Sequence, residues 1–369
     1  MALDDALMAL KKRIAATALA LLGCSLATQA DEPYTDEPLK VGFVYVSPIG
    51  DAGWTYMHDQ ARQIVAEEFG DKIETSYVES VAEGSDSERV IRNLSARGHD
   101  LIFTTSFGYM NPTLKVARRF PNVKYEHATG YKTARNVGNY QARAYQGRYL
   151  AGMTAGAMSE SGRIGYVAAF PIPEVIRGIN AFTLGVQTTN PDARVSVVWI
   201  NTWHDPARER EAADSLILQG ADVLTMHSDS PAVIQAAEAR NVYAVGFNSD
   251  MSHYGPNAHL TAVTMHWESI YHDKIQAVLD GNWESTAIWH GLKEGVVDLS
   301  PFNEVVPQEV VEKVTAYKME IIEGTRQVFQ GPLYNQAGEQ VVAEGDALSD
   351  SDLLEQEWFV NGVDGKLNP

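Results

Sequence analysis

The residues of this chain that could do chemistry gather at one place in a repeating pattern, directly after short apolar runs. After Val41 to Val46 come Gly50, Asp51 and Trp54; after Leu101 to Thr104 come Ser106, Phe107 and Tyr109; after Val123 to His127 come Gly130 and Tyr131. Further along, Phe170, Trp203-His204-Asp205, His227-Ser228-Asp229 and Asn248-Ser249-Asp250 take the corresponding places. Aromatic faces with a few amides and carboxylates suit a flat, neutral, nitrogen-rich ligand. Stacking on a base contributes ~1–3 kcal/mol in nucleic-acid systems. An Asn offers both a donor and an acceptor, and a carboxylate accepts from ring and exocyclic N–H groups. Sugars are held by the same residue types, so both ligand classes stay open at this point.

Bond-making chemistry has no such footing. The chain carries no HExxH, no GxSxG, no P-loop and no GxGxxG, so the usual zinc, nucleophile and phosphate-binding arrangements are missing. Its one cysteine, Cys24, cannot build a thiolate site. The ten histidines, His253, His259, His266 and His272 among them, fall at loose intervals. No metal and no cofactor is expected, and the protein is read as a binder rather than an enzyme. A nucleoside hydrolase is the enzymatic alternative.

The elements that must position these residues alternate. Short β-branched runs without a polar face read as buried strands, and each is followed by a stretch of helical period. The first series has strands at Val41 to Val46, Lys72 to Val78, Leu101 to Thr104 and Val123 to His127, with helices starting at Trp54, Asp86 and Asn111. A helix rich in small residues, about Arg143 to Glu160, opens a second series, whose strands are Arg163 to Ala168, Val195 to Ile200, Asp222 to Met226 and Val242 to Val245. Ser230-Pro231 marks a helix start. Repeated strand–helix units make parallel sheets with helices on both faces, and their ligands bind beyond the strand carboxyl ends. The expected fold is α/β, two doubly wound parallel-sheet lobes joined by a hinge. Residues 38–142 plus about 251–290 form the first lobe, and 143–250 plus about 291–369 the second. Trp358-Phe359-Val360 implies that the C-terminal tail packs.

Length and charge agree with this reading. At 369 residues the chain has room for two or three domains. Its 29 Lys and Arg against 48 Asp and Glu leave a net charge of -19, the wrong sign for a nucleic-acid partner or an anionic lipid surface. Lys11-Lys12-Arg13, the apolar run from Ile14 to Leu22 and the small residues up to Ala30 have the layout of an export signal. Cleavage after Ala30 is preferred, and lipidation at Cys24 in Leu21-Leu22-Gly23-Cys24 is the alternative. Either places the protein in the periplasm or on its membrane.

The ordered motifs Gly50-Asp-Ala-Gly-Trp54, Asn136-Val-Gly-Asn-Tyr140, Tyr149-Leu-Ala-Gly152, Gly162-Arg-Ile-Gly-Tyr-Val167, Gly220-Ala-Asp-Val-Leu224 and Gly291-Leu-Lys-Glu-Gly295 resemble the basic membrane protein family of ABC-transporter binding proteins. The resemblance covers essentially Leu39 to Pro369 and implies the type I periplasmic-binding-protein fold, with three crossovers between the lobes. It also implies permease and ATPase partners, and a monomer is expected. By its alignment Trp54 and Trp203 would sandwich a purine, and Asn248 and Asp250 stand at an Asp-x-Asp position. Met265 occupies the place of a sugar-contacting Lys in nucleoside binders of the family. A Met donates nothing to a hydroxyl, so the expected ligand is a purine nucleobase, adenine first. A nucleoside is the runner-up, and a sensory rather than a transport role is the other alternative.

Overall fold

The computed structural model describes residues 37–367; the export-signal expectation on residues 1–30 and Cys24 falls outside them. Two sheets carry the architecture. The first contains β1 (Leu39–Val44), β2 (Ile73–Val78), β3 (Leu101–Thr104), β4 (Lys124–Ala128) and β5 (Val137–Ala142) in the order β5-β4-β3-β1-β2, all parallel. The second repeats this order with β6 (Arg163–Ala168), β7 (Arg194–Trp199), β8 (Val223–His227), β9 (Tyr243–Asn248) and β10 (His259–Met265), again parallel. In each lobe the chain reverses direction across the sheet beside its first strand, at β1/β3 and at β6/β8. That is where doubly wound sheets open a crevice at their carboxyl ends. β1, β3 and β8 are buried along nearly their whole length, because helices cover both faces and leave no side for a polar stripe.

The helices are α1 (Trp54–Phe69), α2 (Ser85–Ala96), α3 (Met110–Ala117), α4 (Ala144–Met158), α5 (Pro173–Thr189), α6 (Pro206–Leu218), α7 (Ala232–Arg240), α8 (Glu268–Leu279), α9 (Gln308–Glu323) and α10 (Asp350–Leu354). Asp205 starts α6, accepting from the amides of Ala207 and Arg208 at 3.1 Å ahead of Pro206. The small residues of α4 have a packing reason. A Cβ on Gly152 would run into the Phe182 carbonyl and one on Gly185 into the Tyr149 carbonyl, so α4 and α5 meet backbone to backbone.

The chain passes between the lobes three times. It leaves the first sheet after β5 at Arg143 and returns after β10, since α8 packs on α1. It then adds β11 (Ala287–His290) beside β5 and goes back to place β12 (Val297–Leu299) antiparallel to β10. The return therefore comes later than the expected point near 251. The run His259 to Met265 is buried throughout and pairs with β9 in the second sheet. The remaining residues form a small hairpin, β13 (Leu333–Tyr334) with β14 (Gln340–Val342), and β15 (Val363–Asp364) on the edge of β7. Phe359 and Val360 are buried, and Asn180 of α5 grips the backbone on both sides of Phe359, at the Trp358 carbonyl and the Val360 amide.

Candidate functional site

The carboxyl ends of the two sheets face each other across a cleft that encloses about 430 Å³ of empty space, its mouth included. The first lobe contributes Val46, Trp54, Ser106, Phe107 and Thr129; the second contributes Glu174, Trp203, His227, Ser228, Asp229 and Asn248. Trp54 opens α1, and its indole is fixed from two sides. Nε1 donates to the Thr105 carbonyl at 2.8 Å, and the ring stands edge-on to His58 and Trp267, with centroids 4.4 and 5.4 Å away. Trp203, in the loop after β7, meets Phe170 edge-on at 5.0 Å.

Several contacts span the cleft. Asp229 of the second lobe receives the Ser47 hydroxyl and the Trp54 amide, and the Thr55 amide approaches at 3.4 Å. The first amides of a helix have no partners inside it, and Gly53 at the N-cap has no side chain to offer them. A carboxylate from the other lobe does so, with the helix dipole in its favour. Gly53 has φ 95°, and a Cβ there would collide with the same carboxylate. Burial pushes the Asp229 carboxyl up to about 6, while the Ser47 and Trp54 hydrogen bonds pull it down. Glu83 makes a second bridge: it accepts from Ser106 Oγ at 2.6 Å and Gly108 N at 2.9 Å in its own lobe and from Trp203 Nε1 at 3.2 Å across the gap. Gly53 N also donates to Ser249 Oγ at 2.9 Å.

Other polar groups on the second-lobe wall have no such partners. Asn248 Oδ1 and His227 Nδ1 are buried without a hydrogen bond among the described residues. Burial, followed by the charges of Arg148 and Arg177, holds His227 well below the usual imidazole range, so the ring is neutral. Arg148 is itself buried, giving hydrogen bonds to Thr225 Oγ1 at 3.2 Å and the Met226 carbonyl at 2.7 Å, with its guanidinium 3.4 Å over the Phe247 ring. Glu209 holds the hydroxyls of Ser228 and Ser230 at 2.8 and 2.6 Å and so shapes the loop after β8.

Of the residues singled out from sequence, Trp54, Ser106, Phe107, Trp203, Asp229 and Asn248 lie together on the lining. Phe170 stands beside Trp203. Tyr131 is 59% exposed, with its ring centroid 6.5 Å from that of Phe107. Asp51 is exposed, and burial, helped by the Asp51 charge, pushes the Tyr254 phenol up to about 12; Asp250 is exposed and caps its own turn through the Ser252 amide at 2.9 Å. Tyr109 and Met265 need correcting. Tyr109 is fully buried in the first lobe, its hydroxyl on the Val81 carbonyl. Met265 ends β10 buried in the apolar core with Val263 and Val297, and it is not among the residues that line the cavity. Glu83, Thr129 and Glu174 were not singled out from sequence, and His227 was named only as the head of its loop. His227 ends a strand, a signal within reach, whereas Glu174 follows Pro173 and reads as an ordinary first-turn acid.

Comparison with known proteins gives a consistent answer. The sequence matches the family Bmp, ABC transporter substrate-binding protein PnrA-like, over residues 39–330. A purine-binding protein of Brucella abortus is 49% identical over 334 residues, 90% of this chain and 95% of that protein. A Haloferax volcanii protein named as an ABC transporter glucose-binding protein is 40% identical over 340 residues, 92% of this chain and 84% of its own. Among solved structures, an ABC transporter solute-binding protein of Aeropyrum pernix superimposes with a TM-score of 0.70 at 22% identity, covering 80% of this chain and 94% of that one.

Proposed function

This chain belongs to the Bmp family of PnrA-like ABC transporter substrate-binding proteins, and from that premise we propose that it captures a purine nucleobase, adenine first, between its lobes and presents it to an importer. The observation that carries the reading is a cavity with aromatic faces from both lobes, Trp54 and Phe107 against Trp203, beside an Asn248 amide whose oxygen is unpaired. An Asn amide matches the N6/N7 edge of adenine in both donor and acceptor. The purine named for the Brucella relative supports the same class.

Met265 no longer bears on the choice between base and nucleoside, because it faces the core. A different observation favours the base. Both serine hydroxyls on the lining are engaged by carboxylates, Ser106 by Glu83 and Ser228 by Glu209, so neither is open to a ribose. The name of the Haloferax relative favours a second reading, a hexose lying on the same aromatic faces. Ligand-stripped protein titrated calorimetrically with adenine, hypoxanthine, guanine, adenosine, guanosine, ribose and glucose separates these. Adenine is expected to bind and to raise the melting temperature by mass action, with nucleosides at least tenfold weaker. Nucleosides binding as well as bases would overturn the nucleobase choice, and glucose binding alone would overturn the purine class. No chemical step is involved: lobe closure by hinge motion holds the ligand.

A further inference from the structure

The second-lobe wall carries polar side chains from two strand ends and one helix start that no other described residue of the protein engages. Asn248 and His227 are 3% and 8% exposed and keep Oδ1 and Nδ1 unpaired. Glu174 lines the same cavity and makes no hydrogen bond with any described residue. An unmade hydrogen bond at a buried polar atom is costly, and the Asn248 and His227 atoms meeting at one cavity point to a ligand that supplies the partners. The cleft has two acids on its lining. Asp229 is engaged by α1 and Ser47; Glu174 is free.

The surroundings raise the Glu174 carboxyl above its ordinary range and leave its oxygens unused. Burial works against that charge, and the guanidinium groups of Arg177 and Arg148 support it from a distance. Neither forms a salt bridge with it: Arg177 donates to the Leu353 carbonyl at 2.6 Å, and Arg148 donates to Thr225 and Met226. A carboxylate held in this way is an acceptor waiting for a donor from the cleft, and Asn248 Oδ1 beside the same cavity is a second.

We propose that Glu174 and Asn248 together read an amino group on the ligand, one N–H to each acceptor, so that the cleft selects 6-aminopurines over purines with an oxo group or a methyl at that position. This deepens the purine reading and rests on it. An oxo group would place its lone pairs against the carboxylate, a repulsive element that sharpens the choice, and sites built to hydrogen-bond a donor reject analogues that lack it.

The test has two arms. In the wild-type protein, adenine is expected to bind at least tenfold more tightly than 6-methylpurine, which keeps the shape and loses both N–H groups, and than hypoxanthine. Equal binding of adenine and 6-methylpurine would overturn the inference without any variant. Glu174→Gln preserves the size of the side chain and replaces one acceptor oxygen with a donor. It is expected to reduce the adenine-to-hypoxanthine ratio at least tenfold, with hypoxanthine gaining, and to leave the ligand-free melting temperature within a few degrees. An unchanged ratio would overturn the role of Glu174 while leaving the purine reading intact. A wild-type protein that binds no purine at all would overturn both.

Discussion

The two walls of the cleft are built on the same strand order but in opposite chemical condition. On the first-lobe wall the hydrogen-bonding groups serve the fold: Trp54 Nε1 is on Thr105, and the Ser106 hydroxyl is on Glu83. What faces the cavity there is aromatic surface backed by His58 and Trp267, the latter on the crossover after β10. The second-lobe wall keeps Glu174, His227 and Asn248 unpaired and sends Asp229 across to close the gap. One wall supplies a fixed surface for stacking, which tolerates many rings. On the proposed reading the other supplies both discrimination and the latch, so that ligand identity and lobe closure would be read by the same lobe.

That division is broken most severely by removing the fixed surface. Trp54→Ala deletes a stacking face worth ~1–3 kcal/mol, roughly a fivefold to 150-fold loss of affinity. It should weaken all purines alike, leaving their order unchanged, and Trp54→Phe should restore most of the loss. A titration series in which Trp54→Ala reorders the ligands would place discrimination on the first wall and dissolve the comparison.

The latch gives a smaller effect with a definite sign. In the closed form burial raises the Asp229 carboxyl to about 6, and opening returns it to water and the ordinary range. The closed state therefore holds the proton more tightly, and closure gains as pH falls through about 6. Ligand affinity should rise several-fold between pH 7.5 and pH 5, and Asp229→Asn should flatten the profile. Burial holds His227 well below the usual imidazole range, which favours the neutral ring. Glu174 and Glu209, which burial also raises, are expected to carry the slope that remains in Asp229→Asn. A profile that falls toward pH 5 in the wild type would refute the assignment.

The difference between the walls also marks what could be read in the sequence. Apolar runs and the residues after them located Trp54, Trp203 and Asn248, because in a parallel sheet the end of a strand fixes which edge its loop serves. The doubly wound pattern was legible for the same reason. The return point was not: His259 to Met265 is a buried run that would fit an edge of either sheet, and only pairing with β9 decides it. Nor could sequence spacing tell that Asp229 would be consumed by α1 while Glu174 stayed free, since that depends on how the lobes meet. Glu174 had the further disguise of an acid in the first turn of a helix, a placement that the helix dipole alone would explain.

Met265 gives the smallest effect and the sharpest boundary to the second wall. It is the last residue of β10, 1% exposed, and lies opposite Val297 in the antiparallel pair that closes the second sheet. Replacing it with Leu conserves volume and polarity, a change that costs under ~1.5 kcal/mol in a core. Ligand affinity should then stay within about twofold, with the melting temperature slightly lower. Lys at the same position would bring an ammonium into apolar surroundings without a partner, an expensive burial, so a loss of stability is expected ahead of any gain for nucleosides. A tenfold loss of adenine affinity in Met265→Leu at unchanged stability would return this side chain to the binding wall. The polar set that distinguishes the two walls would then have to be redrawn around an apolar contact.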